Sequence, residues 1–194
     1  MSVKTMPFAS LGFAVYLGLS GMSVANEYEQ QLRDVYQQQL KAWLQHPGLI
    51  EAINQQNAEH ESLTEADIAS LDQDWREQAK AGSGPLIERL MNKDASTYLA
   101  GKKRGSGELV TEVFVMDNKG LNVALSNVTS DYMQGDEAKW QKTFGQGAGE
   151  VFIDEVEFDD STDTFQCQIS ATVVDPSTGN AIGAVTFGIN IENL

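Results

Sequence analysis

The spacing of apolar residues changes once along this chain, and that change limits the fold more than any other feature. Up to about residue 101 apolar residues recur at helical intervals; from Glu108 onward they alternate. Intervals of three and four residues give a helix one apolar stripe, and a period of two gives a strand one apolar face. Helices gathered ahead of strands, rather than alternating with them, point to an α+β domain.

Tyr28, Leu32, Val35, Tyr36, Leu40 and Trp43 repeat at helical spacing, with Asn26 and Glu29 placed as N-cap and N3. His46-Pro47-Gly48 ends that helix, and a shorter one covers 49–57. Thr64 with Asp67 marks another start, Ile68, Leu71 and Trp75 form its stripe, and Gly82-Ser83-Gly84 ends it. Pro85 suits the first position of the next helix, with Leu86, Ile87, Leu90 and Met91 inward. Residues 101–107, with Lys102, Lys103 and Arg104, read as an exposed loop.

Strands are predicted over 109–116, 121–125, 151–158, 164–174 and 181–191. Asp117-Asn118-Lys119-Gly120 is a hairpin turn in which glycine supplies the positive φ. Val151 and Ile153 are odd-numbered, whereas Val156 and Phe158 are even, so a β-bulge is predicted near Asp154 or Glu155. Short connections make the last three strands antiparallel. The expected fold is a five-stranded antiparallel sheet with a long N-terminal helix and further helices packed on it.

Composition narrows the function. The chain has 194 residues, enough for one or two domains. Its 28 acidic residues against 13 basic ones give a charge of −15. That argues against nonspecific nucleic-acid binding and against docking on an anionic membrane. A single cysteine rules out an intrachain disulfide or a multi-cysteine metal site. Cys167 lies in an alternating apolar run and is read as a small buried residue.

Lys4, the apolar run 8–19 and the small pair Ser23 and Ala25 read as a signal peptide over 1–25, cleaved after Ala25. The alternative is an uncleaved anchor. Cleavage leaves one domain, 26–194, with no further membrane span, located in the periplasm.

No G-x-S-x-G and no Walker A loop is present, and neither histidine stands in an H-E-x-x-H pattern. His46 and His60 are read as solvated. A non-enzymatic protein without a cofactor or resident metal is expected. Asp159, Asp160, Ser161 and Asp163 have partial calcium-ligand spacing, against which stands a solvated turn.

The segment 129–140 occupies the one long break between strands. It brings together Asp131, Tyr132, Gln134, Asp136 and Trp140, a mixture suited to a small-molecule pocket. The residues equally admit a loop in which Asp136 caps a helix and Trp140 packs inward. Trp75 and Arg76 are further ligand-binding candidates, Arg76 through its fork of donors, against core packing and simple exposure.

The run Thr111-Glu112-Val113-Phe114-Val115-Met116-Asp117-Asn118-Lys119-Gly120-Leu121-Asn122-Val123-Ala124 resembles the Cache (PDC) family. These are the extracytoplasmic PAS-like sensor domains of bacterial histidine kinases and chemoreceptors. The likeness continues through Thr129-Ser130-Asp131-Tyr132, Gln134-Gly135-Asp136-Glu137 and Phe158-Asp159-Asp160-Ser161-Thr162, and ends with residues 182–190. Asn57, Leu71, Asp72 and Trp75-Arg76 in the helical part look similar too. Met133 departs from the aromatic expected there. The resemblance implies a PAS-like sheet and a pocket between that sheet and the helix-bearing loop. It implies a small-molecule ligand of the organic-acid or amino-acid class. In receptors a transmembrane helix and an output domain follow the last strand. None follows Leu194, so a stand-alone sensor is expected, signalling through a membrane histidine kinase or chemoreceptor. A ligand-free interaction module is the alternative.

Overall fold

The structure is a computed structural model that describes residues 25–159 and 164–194. The predicted signal peptide, save Ala25, and residues 160–163 of the acidic turn lie outside the described residues.

The first helix, α1 (Ala25–Val35), starts ahead of Asn26, which therefore stands inside the helix rather than capping it. It continues through a π turn (Tyr36–Leu40) and a 3₁₀ segment (Lys41–Gln45). A π turn takes an extra residue and rotates the helix beyond it. Leu32, Tyr36, Leu40, Trp43 and Leu44 are all buried along this stretch. His46 is extended, and Pro47 opens α2 (Pro47–Glu59).

Thr64 caps α3 (Glu65–Ala81) in a reciprocal box with Asp67, and Gly82 at φ +83° ends it. Then come α4 (Pro85–Met91) and α5 (Asp94–Arg104). Lys102, Lys103 and Arg104 thus form the last turn of a helix and not a loop. Cations there oppose the negative end of the helix dipole, which favours continuing through Gly101.

The strands are β1 (Val110–Met116), β2 (Asn122–Leu125), β3 (Val151–Asp159), β4 (Thr164–Val174) and β5 (Ala181–Asn190). They form one antiparallel sheet in the order β2-β1-β5-β4-β3, so the α+β architecture is the expected one. A short helix, α6 (Ala138–Gln141), lies in the long connection from β2 to β3. No helix among the described residues is long and apolar enough to cross a membrane.

The sheet is buried on both faces at β1 and β5, while its outer strand β3 is partly exposed. On one face, Val113, Val115, Ile169, Ala171, Val185 and Phe187 pack with Leu32, Leu40, Trp43, Leu49, Ile53 and Leu99. On the other, Phe114, Met116 and Ala184 pack with Trp75, Leu86, Ile87, Leu90 and Tyr132. The register pairs Phe114 with Thr186 and Thr186 with Ser170, so this second face becomes polar toward β4.

The register of β3 shifts between Ile153 and Val156, where the change of phase predicts a bulge. Val151, Ile153 and Val156 all pack against the first core. Glu155 and Glu157 are thereby turned to the opposite face. Cys167 is buried, its Sγ lies 3.1 Å from the Asp154 carbonyl, and burial pushes its pKa up to about 12. Such a thiol stays protonated and unreactive at neutral pH.

Candidate functional site

The long β2–β3 connection crosses the second face of the sheet and is fastened there from two sides. From α3, Asp72 accepts hydrogen bonds from the backbone N–H of Tyr132 (2.9 Å) and of Met133 (3.0 Å). The other oxygen of Asp72 lies 2.7 Å from Arg76 Nε, and Arg76 reaches Asp131 at 3.2 Å. Trp75 donates its indole N–H to the Thr129 carbonyl at 2.8 Å and stacks on Tyr132, ring centroids 5.4 Å apart. Both rings are fully buried.

From the β1–β2 turn, Gln134 N–H donates to the Gly120 carbonyl at 2.8 Å, and Trp140 Nε1–H to the Asp117 carbonyl at 3.2 Å. Gly120 has φ +83°, and a Cβ there would strike the backbone of Gly135. Only a residue without a side chain allows this close approach in a left-handed conformation.

Behind these fastenings a cavity of about 310 Å³ lies between α6 and the outer half of the sheet. Glu137 and Lys139 line it from the connection, Glu155 and Glu157 from β3, and Gln166 and Gln168 from β4. Asp154 joins them in the lining, and the bulge in β3 is what turns Glu155 and Glu157 toward it. Lys139 is the only cation among the described lining residues; its side chain is 13% exposed and its ammonium pairs with Glu137 at 3.0 Å. It also lies over the Phe114 ring, 5.4 Å from the centroid. Gln168 donates to Glu112 at 3.2 Å. The space is therefore walled by carboxylates and amides, with its one cation already neutralised. Among the described residues no cluster of three or more His, Cys, Asp or Glu is placed to hold a metal ion.

The seven residues singled out from the sequence gather at this connection but do not line the cavity. Trp75, Arg76, Asp131 and Tyr132 form the α3 clasp. Gln134 is buried, donates to the Asp131 carbonyl at 2.9 Å, and lies 3.4 Å from Lys139 Nζ through its Oε1. Trp140 packs on Phe144 at 5.2 Å, and Asp136 is exposed. The lining residues Glu137, Lys139, Glu155, Glu157, Gln166 and Gln168 escaped sequence reasoning. The phase flip in β3 was a usable signal for its two glutamates.

Neither histidine is solvated as expected. His60 is buried, with Nδ1 2.7 Å from the fully buried Asp117 carboxylate. A carboxylate only accepts, so Nδ1 carries the proton. His46 stacks on Tyr98, ring centroids 4.0 Å apart.

No protein-family model matches the chain, and no curated protein does. Solved structures do. The ligand-binding domain of the Campylobacter jejuni chemoreceptor Tlp3, in complex with L-valine, is 13% identical over 91% of this chain, TM-score 0.40. The sensor domain of the V. cholerae histidine kinase DctB is 12% identical over 86%, TM-score 0.39. An extracellular ligand binding receptor from Desulfohalobium retbaense is 15% identical over 73%, TM-score 0.39. The chain spans 66%, 58% and 24% of those three proteins. Among solved structures, then, this chain is similar to sensor and ligand-binding domains of chemoreceptors and histidine kinases.

Proposed function

We propose that the protein is an extracytoplasmic sensor module that binds a small amine-bearing molecule between its sheet and the 129–149 segment. The observation that carries this reading is the charge of the cavity. Glu155 and Glu157 face it with no cation of their own among the described lining residues, since Lys139 is taken by Glu137. Both glutamates are exposed at the cavity wall, where an ammonium group on a ligand can form charge-assisted hydrogen bonds with them. Of the two ligand classes the family resemblance implies, the surplus of negative charge favours an amino acid or amine over a simple organic acid. Gln166 and Gln168 add amide groups that can orient it.

The signal-peptide pattern supports an exported protein, and the resemblance supports a membrane histidine kinase or chemoreceptor as its partner. The clasped connection is the element through which a ligand would act. A ligand shifts a partner only by binding two of its states unequally.

A thermal-shift screen of amines, amino acids, organic acids and divalent cations tests the reading. An amine-bearing compound should raise the midpoint by mass action, equivalent to about 2.7 kcal/mol at a hundredfold excess over Kd. The Glu155→Gln/Glu157→Gln double variant should lose that response. No shift by any amine at millimolar concentration would leave the ligand-free interaction module as the better reading.

A further inference from the structure

On the opposite side of the β1–β2 turn lies a second and larger cavity, of about 550 Å³, between α2 and the α4–α5 corner. No candidate residue from the sequence lines it. Its floor is a buried polar chain. Asp117 accepts from Gln56 Nε2 at 3.1 Å and from His60 Nδ1 at 2.7 Å. Gln56 Oε1 in turn accepts from Lys93 Nζ at 3.1 Å.

Lys93 is the incomplete member. Its half-buried ammonium makes that one hydrogen bond, and no carboxylate among the described residues lies within 4.0 Å of it. Arg89 lines the same cavity and likewise has no ion pair among the described residues. Burial first, and then the neighbouring Arg89, hold the Lys93 pKa below its ordinary value. The fully buried Tyr132 hydroxyl lies within reach of Arg89, Asp117 and Glu59. Asp94 and Ala95, also in the lining, open α5, where backbone N–H groups have no partner within the helix.

Two cations thus converge on the cavity with no carboxylate paired to either among the described residues. Glu51, Glu59 and Asp94 stand at the exposed edge and disfavour a multiply charged ligand. We propose that this cavity is a second binding site, for a small singly charged carboxylate held by Lys93 and Arg89. The carboxylate completes the hydrogen bonding of Lys93, and Gln56 and His60 fix the floor on which Lys93 rests. This site is independent of the one between the sheet and α6.

Sodium acetate is the probe, titrated against the full-length protein at constant ionic strength with chloride as the replaced anion. For a fragment of four heavy atoms the ceiling on affinity is a Kd of roughly tens of micromolar, so a weak, saturable response is expected. Acetate should raise the melting midpoint saturably up to about 100 mM. Lys93→Met, which keeps the aliphatic stem, should weaken acetate at least about tenfold. Arg89→Gln, at an exposed position, should weaken it in the same direction. Lys139→Met, in the other cavity, should leave the acetate response unchanged, so failure of one site is distinguishable from failure of the other. The proposal is overturned if acetate acts no differently from chloride, or if both Lys93→Met and Arg89→Gln respond as the unaltered protein does. It is overturned too if inorganic phosphate at neutral pH matches or exceeds acetate.

Discussion

Replacing Asp117 by alanine is expected to lower the unfolding free energy by about 3–5 kcal/mol. The carboxylate is fully buried and saturated. One oxygen accepts the backbone N–H of Lys119 at 2.8 Å and of Leu121 at 2.9 Å, which closes the β1–β2 turn. The other accepts Gln56 and His60, which ties α2 to that turn. Alanine leaves all four donors without their partner in a site closed to water. Each lost partner carries a penalty of about 1–3 kcal/mol, partly relieved by relaxation. Asp117→Asn should be milder. Its amide oxygen still serves the two backbone donors, while its NH₂ opposes Gln56 and His60. Urea unfolding checks this, with the slope unchanged and the midpoint moved. A loss below about 1 kcal/mol for Asp117→Ala would mean that the network is not what joins α2 to the sheet.

The second large effect is at Trp75, where alanine should cost about 3–5 kcal/mol. The ring is fully buried and stacks on Tyr132, and its N–H holds Thr129. Removal leaves a large void under the β2–β3 connection. Trp75→Phe separates the contributions, since it keeps an aromatic ring but not the donor. It should cost about 1–2 kcal/mol, mostly from the orphaned Thr129 carbonyl. Hydrogen exchange supplies a local readout. In Trp75→Ala the Tyr132 and Met133 amides, bonded to Asp72 in the unaltered protein, should lose protection more than amides in β4 and β5 do. Equal loss everywhere would mean global destabilisation without loosening of the clasp.

What was legible in the sequence was what local chemistry dictates. Thr64 and Asp67 announce a capping box, Pro47 and Pro85 open helices, and Gly120 needs its positive φ whatever lies around it. The bulge in β3 was legible because a strand that packs one face on the core cannot change phase without one. What was not legible depends on partners far away in the chain. His60 looks like a residue of a polar connector until Asp117, 57 positions later, closes over it. Asp117 itself reads as an ordinary turn residue, since nothing nearby reveals that α2 will bury it. Trp75, Arg76, Asp131 and Tyr132 stand out in the sequence, and the fold does bring them into contact. Yet residue type alone does not say whether an aromatic pair lines a cavity or fills it, and here it fills it. Lys102 to Arg104 show the converse failure, where a glycine and a charge run suggested a loop and the helix dipole favoured a last turn.

The central claim is that the space between α6 and the sheet is where a small amine-bearing ligand sits. The most direct measurement is an amide chemical-shift map of ¹⁵N-labelled protein titrated with the amine that most raises the melting midpoint. The expected result is saturable movement of the amides of residues 137–139, 155–157 and 166–168, with smaller changes at Tyr132 and Met133 through the Asp72 clasp. Saturable movement confined to other surfaces, with those amides still, would contradict it.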